Sequence, residues 1–431
     1  MKRKTSRISA VAAGFAAAAL VAAGCAAPDT TGGGGDGGGE GSDANFLKIA
    51  WLGNEKAGID AIVAAFQEEN PDVEIVVTTA DTAQYQATLR TELSTGTAAD
   101  VMYVWPANGN TGAIRQLNAG EYLMDLSDQS WVEDYPDYIR DLTSDDGRVL
   151  VMAALATSFS PIYNQTVLDE LGLQAPSSWS EVVPFCQAAM DAGKVAYAMP
   201  GNHAYGGQTA YYNLVPDLVY GTGTEFDSEL ADGDTTFTDH PGYVEATDKF
   251  QEMIDEGCFQ PNSTGTPYDE SNRMLAAGEA LGSFFIGTRL APLQEAAPDG
   301  DFRLYPFHSD DDENTNAMAL STQGGAAIYN ESPRKDLALE FVNFLADNLA
   351  IYQAAHPGTV PTITKDFSTD DPNAQTLVEY IDNGWAVHFL NQEWPNARAE
   401  TAMNVGLTAM LAGSGTGQEM LETMQSEYET E

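Results

Sequence analysis

The chain has 431 residues, of which 43% are hydrophobic and 10% aromatic, with 40 glycines, three cysteines and a formal net charge of −45 at pH 7. That apolar content is enough for two folded domains of ordinary size and excludes a wholly disordered chain. The charge excludes nucleic acid as a partner, because a polyanion would be repelled; it suits either a cationic ligand or a solvated surface that keeps the protein in solution.

The chain opens with Lys2, Arg3, Lys4 and Arg7, followed by an apolar, alanine-rich run over residues 8–23. The run is too short for a membrane span of ~20 residues and reads as an export signal. Its small-residue end, Ala22-Ala23-Gly24, leads directly into Cys25. Residues 21–25 resemble a bacterial lipobox, which implies cleavage before Cys25 and lipidation of its sulfur. Residues 1–24 are therefore expected to be a lipoprotein signal peptide, and residues 25–44 a lipidated cysteine with a glycine-rich tether. With nothing to bury, that tether stays flexible, with a span of roughly 25 Å. No Gly-Lys-Ser/Thr follows it, so it is not a phosphate loop. The expected location is the extracellular face of the cell membrane, held by the lipid anchor, since each buried acyl CH₂ adds ~0.8 kcal/mol.

Past the tether, the stretch FLKIAWLG reads as a strand, and Ile59, Ile62, Val63 and Phe66 then recur at helical spacing until Asn70-Pro71 stops them. VEIVVTTA is a second strand. Tyr85, Leu89 and Leu93 mark a second helix, with Gly96 placed to cap it, and ADVMYVW is a third strand ending at Trp105-Pro106. The β-α-β-α-β order predicts an α/β lobe with a largely parallel sheet, whose ligands bind at the carboxyl ends of the strands. Those ends carry Trp51 with Asn54 and Glu55, Asp81 with Gln84, and Trp105 with Asn108.

Cys186 and Cys258 form an even pair in an exported chain, either bridged or left as two buried thiols. No metal site is expected, because the five histidines lack ligand spacing. The acidic run near Asp311 lacks the alternating ligands and glycine of a calcium loop. No cofactor is expected either.

The stretch from Arg148 onward runs from a strand into Tyr163-Asn164, a helix ending at Gly172, a Pro-Ser-Ser-Trp connection and a helix from Ser180. This resembles the family 1 extracellular solute-binding proteins of ABC importers, the maltose-binding-protein type. GEALGSFFIGT, and the segment from LSTQGG through Ser332-Pro333 to a closing Pro-Thr, are similar to the family as well. In that segment Ser332 is expected to cap a helix whose buried stripe is Ala338, Phe341, Val342 and Leu345. The resemblance implies an α/β, two-lobed periplasmic-binding-protein-like fold of type II, with a hinge and an interlobe ligand cleft. One lobe is expected over residues 44–154 plus 319–364, the other over 155–318 plus 365–431. The implied function is a substrate-binding protein, not an enzyme, that works as a monomer and delivers solute to permease subunits in the membrane.

The family's carbohydrate type points to a sugar or oligosaccharide, whose C–H faces and hydroxyl rims call for rings beside amides and charges. Candidate rings are Trp51, Trp105, Phe159, Tyr205, Phe284 and Phe285; alternation along a strand lets only one of the last two face a cleft. Candidate polar groups are Asn54, Glu55, Gln84, Asn108, Asn202, Arg289 and Gln323, with Gly324 beside the last. GNHAYGGQTAYYN, with Tyr211, Tyr212 and Asn213, reads as a polar loop, and Trp385 and Trp394 as packing. Met403 stands near where maltose-binding relatives carry a stacking aromatic, which argues against a maltose-like site. The rival ligand is a cation such as a polyamine, because rings beside carboxylates also cage amines. A glycosidase is the weaker rival, since among 64 acidic residues some carboxylate pair is inevitable.

Overall fold

The computed structural model describes residues 45–118, 120–221, 225–312, 314–363 and 367–430. The expected signal peptide, Cys25 and the tether lie outside the described residues, as does the expected boundary at 364/365.

In chain order the elements that position the site are β1 (Phe46–Leu52), α1 (Lys56–Glu69), β2 (Glu74–Ala80), α2 (Thr82–Thr95), β3 (Val101–Val104), β4 (Met152–Ala153) and β5 (Leu155–Asn164). They continue with α3 (Trp179–Asp191), β6 (Val195–Tyr197), α4 (Gly206–Val215), α5 (Pro241–Asp255), β7 (Ala280–Ile286), β8 (Phe302–Leu304) and β9 (Met318–Thr322). Last come β10 (Gly325–Ile328), α6 (Lys335–Asp347), β11 (Thr359–Pro361), β12 (Ala386–Val387), α7 (Arg398–Leu411) and α8 (Gly417–Tyr428).

The first sheet runs β2-β1-β3-β10-β4, with β1 parallel to both β2 and β3 and with β10 antiparallel to β3 and β4. Its local grammar follows from the residues. Asp81 caps α2 by accepting the Gln84 N–H at 3.0 Å, and Gly96 ends it at φ +72°, a left-handed conformation that costs glycine nothing. Ile59, Ile62 and Phe66 of α1 are fully buried against this sheet, in a core shared with Phe341, Val342 and Leu345 of α6. Helix α6 starts later than a Ser332 cap would set it. The Ser332 hydroxyl still accepts the Arg334 N–H at 3.0 Å, just ahead of the helix, and at the same time donates to the buried Asp100 carboxylate at 2.6 Å, which also holds the Arg334 guanidinium at 3.0 Å. A buried carboxylate needs such donors, and a hydroxyl can supply one while its oxygen accepts a backbone N–H.

The second sheet runs β12-β9-β5-β7-β6, with β8 and β11 also on β5. It carries a separate core that includes Tyr197, Tyr211, Tyr243, Phe250 and Trp394, all fully buried. Cys186 of α3 and Cys258 just past α5 are joined in a disulfide within it. One reading is corrected in this region. Gly206 and Gly207 open a helix, α4, where a loop was expected; these glycines serve close packing, since a side chain at Gly206 would strike the Pro200 carbonyl and one at Gly207 would strike Leu407. Tyr211 and Tyr212 consequently point into the core. The expected division at 318/319 falls inside β9, which pairs with β5, so the chain changes sheets only at Gln323-Gly324.

The described residues cross between the sheets three times: at Ala154, at Gln323-Gly324 and just before β11. The crossings touch. Ala154 N–H reaches the Gly324 carbonyl at 3.4 Å, Thr362 N–H reaches the Ala154 carbonyl at 3.2 Å, and the Thr157 hydroxyl donates to the Gly358 carbonyl at 3.1 Å.

Candidate functional site

Beyond the crossings, the two halves meet along the loop after β3. Asn108 N–H donates to the Gln392 carbonyl and its Nδ2 to the Trp394 carbonyl, each at 3.0 Å, while its Oδ1 accepts from Gln116. Arg115 pairs with Glu393 at 2.8 Å. Gly109 lies so close to Asn391 that an added Cβ would sit 1.8 Å from its carbonyl oxygen.

Behind that contact the second half holds a polar cluster. Asn391 Nδ2 and Gln208 Nε2 both donate to Oε1 of Glu400, at 3.0 and 3.2 Å. Asn391 Oδ1 accepts from the buried Tyr212 hydroxyl at 2.9 Å, and Asn404 Nδ2 donates to Gln208 Oε1 at 2.9 Å. Burial pushes the Glu400 carboxyl up to about 7, although the two amide donors pull the other way. Its neighbour Tyr205, at the entrance to α4, is 43% exposed. Burial and the Glu400 charge raise the Tyr205 phenol, and Tyr205 is followed by a row of further polar rings. The His203 ring lies 5.8 Å from Tyr205 and 4.9 Å from Tyr268, and the Arg289 guanidinium sits 3.7 Å over Tyr268. Partial burial and then the Arg289 charge lower the His203 imidazole below its ordinary value.

The other sequence candidates fall as follows. Asn54, Gln84 and Asn202 are exposed, Trp105 is partly buried with its edge on Tyr103 and Tyr85, and Phe159 packs against Tyr212 and Phe389. Trp51 is enclosed in the first core, its indole N–H donating to the Tyr352 hydroxyl at 2.9 Å. Phe284 and Phe285 are both buried, Phe284 stacked on Tyr197 and Phe285 on Tyr268, because the two faces of β7 are both covered. Met403 is core, and so are Trp394 and, by its contact with Tyr380, Trp385. Glu55 is buried, accepts from Tyr352 at 2.8 Å and lies 3.2 Å from His356 Nε2. With Gln323, Gly324 and Thr288 it lines a cavity of about 10 Å³ at the crossings, the room of a single water. Sequence reasoning missed Gln208, Asn391, Glu400, His203 and Tyr268. Gln208 lies on a helix whose every residue is buried, itself included, and burial of that kind carries no mark in the sequence.

Two cored halves joined by adjacent strand crossings, with polar groups converging where they meet, define a two-lobed α/β binding-protein fold of type II. The family model for bacterial extracellular solute-binding proteins matches residues 50–348. The chain belongs to that family. It is 22% identical over 240 residues to the multiple sugar-binding protein of Streptococcus mutans, a match covering 53% of this chain and about half, 54%, of that relative. Among solved structures, one from work on xylan utilization by Caldanaerobius polysaccharolyticus superposes with a TM-score of 0.75 at 17% identity, covering 88% of this chain and 99% of the other. A sugar transporter protein from Bacillus licheniformis in complex with stachyose gives 0.70 at 16% identity, covering 89% and 99%. No helix among the described residues is long and apolar enough to cross a membrane.

Proposed function

We propose that the chain is the lipid-anchored receptor of an ABC importer, binding a sugar or oligosaccharide between its lobes and handing it to permease subunits at the extracellular face of the membrane. The observation that carries this reading is the juxtaposition of an exposed ring, Tyr205, with the Gln208, Asn391 and Glu400 hydrogen-bonding set, directly against the Asn108-Gly109 loop of the other lobe. A ring for the C–H face beside amides and a carboxyl for the hydroxyl rim is what a sugar requires. Stachyose in the Bacillus licheniformis structure and the sugar-binding description of the Streptococcus mutans relative support the same class.

The lobes are proposed as about 44–154 with 325–358, and 155–322 with 359–431, following the strand crossings. Ligand touches both lobes only when they close, and so stabilises the closed form by its differential affinity. The anchor rests on Cys25 after its apolar run. A second reading, a cationic solute such as a polyamine, is favoured by one observation, the carboxyl of Glu400 beside the Tyr205 ring. A thermal-shift screen of the purified chain with neutral oligosaccharides, polyamines and sugar phosphates tests both. At 100 times its dissociation constant a ligand adds ~2.7 kcal/mol, so silence from every sugar sinks the carbohydrate reading.

A further inference from the structure

We propose that Glu400 sets the charge class of the ligand: the second-lobe surface receives an uncharged polyol while this carboxyl is protonated, and binding takes up a proton. The inference rests on the reading of this surface as the ligand site.

The geometry is asymmetric. Both amide donors, from Gln208 and Asn391, converge on Oε1, and the described residues place no hydrogen-bond donor on Oε2 and no cation in ion-pair contact with the carboxylate. The charged and titratable groups around it are few. Helix α4 and its entrance bring Tyr205 and Tyr212, both of which burial raises as phenols and both of which feel the Glu400 charge. The segment before α7 brings Asn391 and, two residues further on, Glu393, which is paired with Arg115. On α7 itself, Arg398 places a guanidinium nitrogen 3.3 Å from the Thr430 carbonyl, and Asn404 faces Gln208. His203 lies beyond Tyr205, near Arg289.

Among the described residues the donors that could hold a charge on this carboxyl thus sit on one oxygen alone. Asn391, which holds Oε1, also touches Gly109 of the opposite lobe, so closure seals this corner. A neutral hydroxyl brought against Oε2 leaves an ionised carboxyl more deeply desolvated than before, whereas a protonated carboxyl donates to the hydroxyl oxygen and carries no charge to desolvate. A cationic ligand reverses the sign, because it stabilises the ionised form. The raised carboxyl, with its midpoint about 7, puts this choice within the neutral range.

The test is calorimetric titration of the purified full chain with stachyose, xylotriose and spermidine at pH 6.0 and 8.5, in two buffers of different ionisation enthalpy. The expected result is that whichever sugar binds does so about tenfold or more weakly at the higher pH, with proton uptake read from the buffer difference. Glu400→Gln should lose the pH dependence of whatever affinity it retains, whereas His203→Gln should keep the pH dependence. The comparison on the unaltered chain stands even if a variant fails to fold. Sugar binding that is equal at the two pH values, or a pH dependence surviving in Glu400→Gln, overturns the inference and leaves the sugar receptor intact. Spermidine binding that tightens at pH 8.5, with no sugar bound at either pH, overturns both.

Discussion

The backbone N–H of Asn108 donates to the carbonyl of Gln392 at 3.0 Å, tying the loop at the carboxyl end of β3 to the segment that leads into α7. This bond is independent of side-chain identity, so the approach of the two lobes here is set by how small residue 109 is. Gly109→Ala is expected to hold the lobes apart, since its Cβ would lie 1.8 Å from the Asn391 carbonyl oxygen. Small-angle scattering should show a larger radius of gyration. Affinity for any ligand found by the screen should fall about tenfold, ~1.4 kcal/mol, while each lobe keeps its far-ultraviolet signature. An unchanged scattering profile would refute the account of this contact.

The Cys186–Cys258 bridge closes a loop with a sequence separation of 72 residues. In the chain-entropy account a loop of that size contributes about 4 kcal/mol. Cys186→Ser with Cys258→Ser is expected to lower the unfolding free energy of the second lobe by that order and to leave ligand affinity below the transition unaltered. A drop in affinity without a drop in stability would place the bridge in function rather than in folding.

Glu400 links stability to pH in the opposite sense from an ordinary carboxylate. Its folded pKa, about 7, lies above its ordinary 4.5, so the native state holds the proton that the unfolded chain releases. That contribution is fully present below pH 4.5 and is lost as pH rises through 7, a change of at most about 3 kcal/mol. Glu400→Gln should flatten the curve of unfolding free energy against pH over this interval, measured by denaturant titration without ligand. A curve that keeps the wild-type slope would mean the carboxyl is not raised.

His388 follows the same sign in a higher window. Burial alone would lower it, but the Asp227 carboxylate, 2.9 Å from Nε2, and the Phe389 carbonyl, 3.0 Å from Nδ1, hold the imidazolium and raise it. The stabilisation is present below pH 6.5 and lost as pH rises through the elevated value. Asp227→Asn is expected to cost roughly 3 kcal/mol at pH 6 and much less at pH 9. An equal cost at the two pH values would show that the pair is not ionic.

The first sheet was legible because each of its elements carries its own periodic signal: Ile59, Ile62 and Phe66 mark one helix face, and Gly96 marks a stop. Burial was less legible. Trp51 and Phe284 stand at strand positions where alternation tells which face a residue shares but not whether another layer covers that face, and here both are covered. The crossing at Gln323-Gly324 leaves no compositional mark, because β9 and β10 are both buried throughout yet join different sheets. The cluster of Gln208, Asn391 and Glu400 draws on segments nearly 200 residues apart, so no local pattern announces it.

The three crossing strands have a mechanical consequence. Their bonds, Ala154 to Gly324 and Thr362 to Ala154, lie side by side. A sliding displacement of one lobe over the other would have to shear them together, whereas a swing leaves them nearly unstretched. The molecule is thus a jointed body with one soft degree of freedom. A swing about this joint changes a single angle, so it alters the outer surface of the two halves together with the space between them.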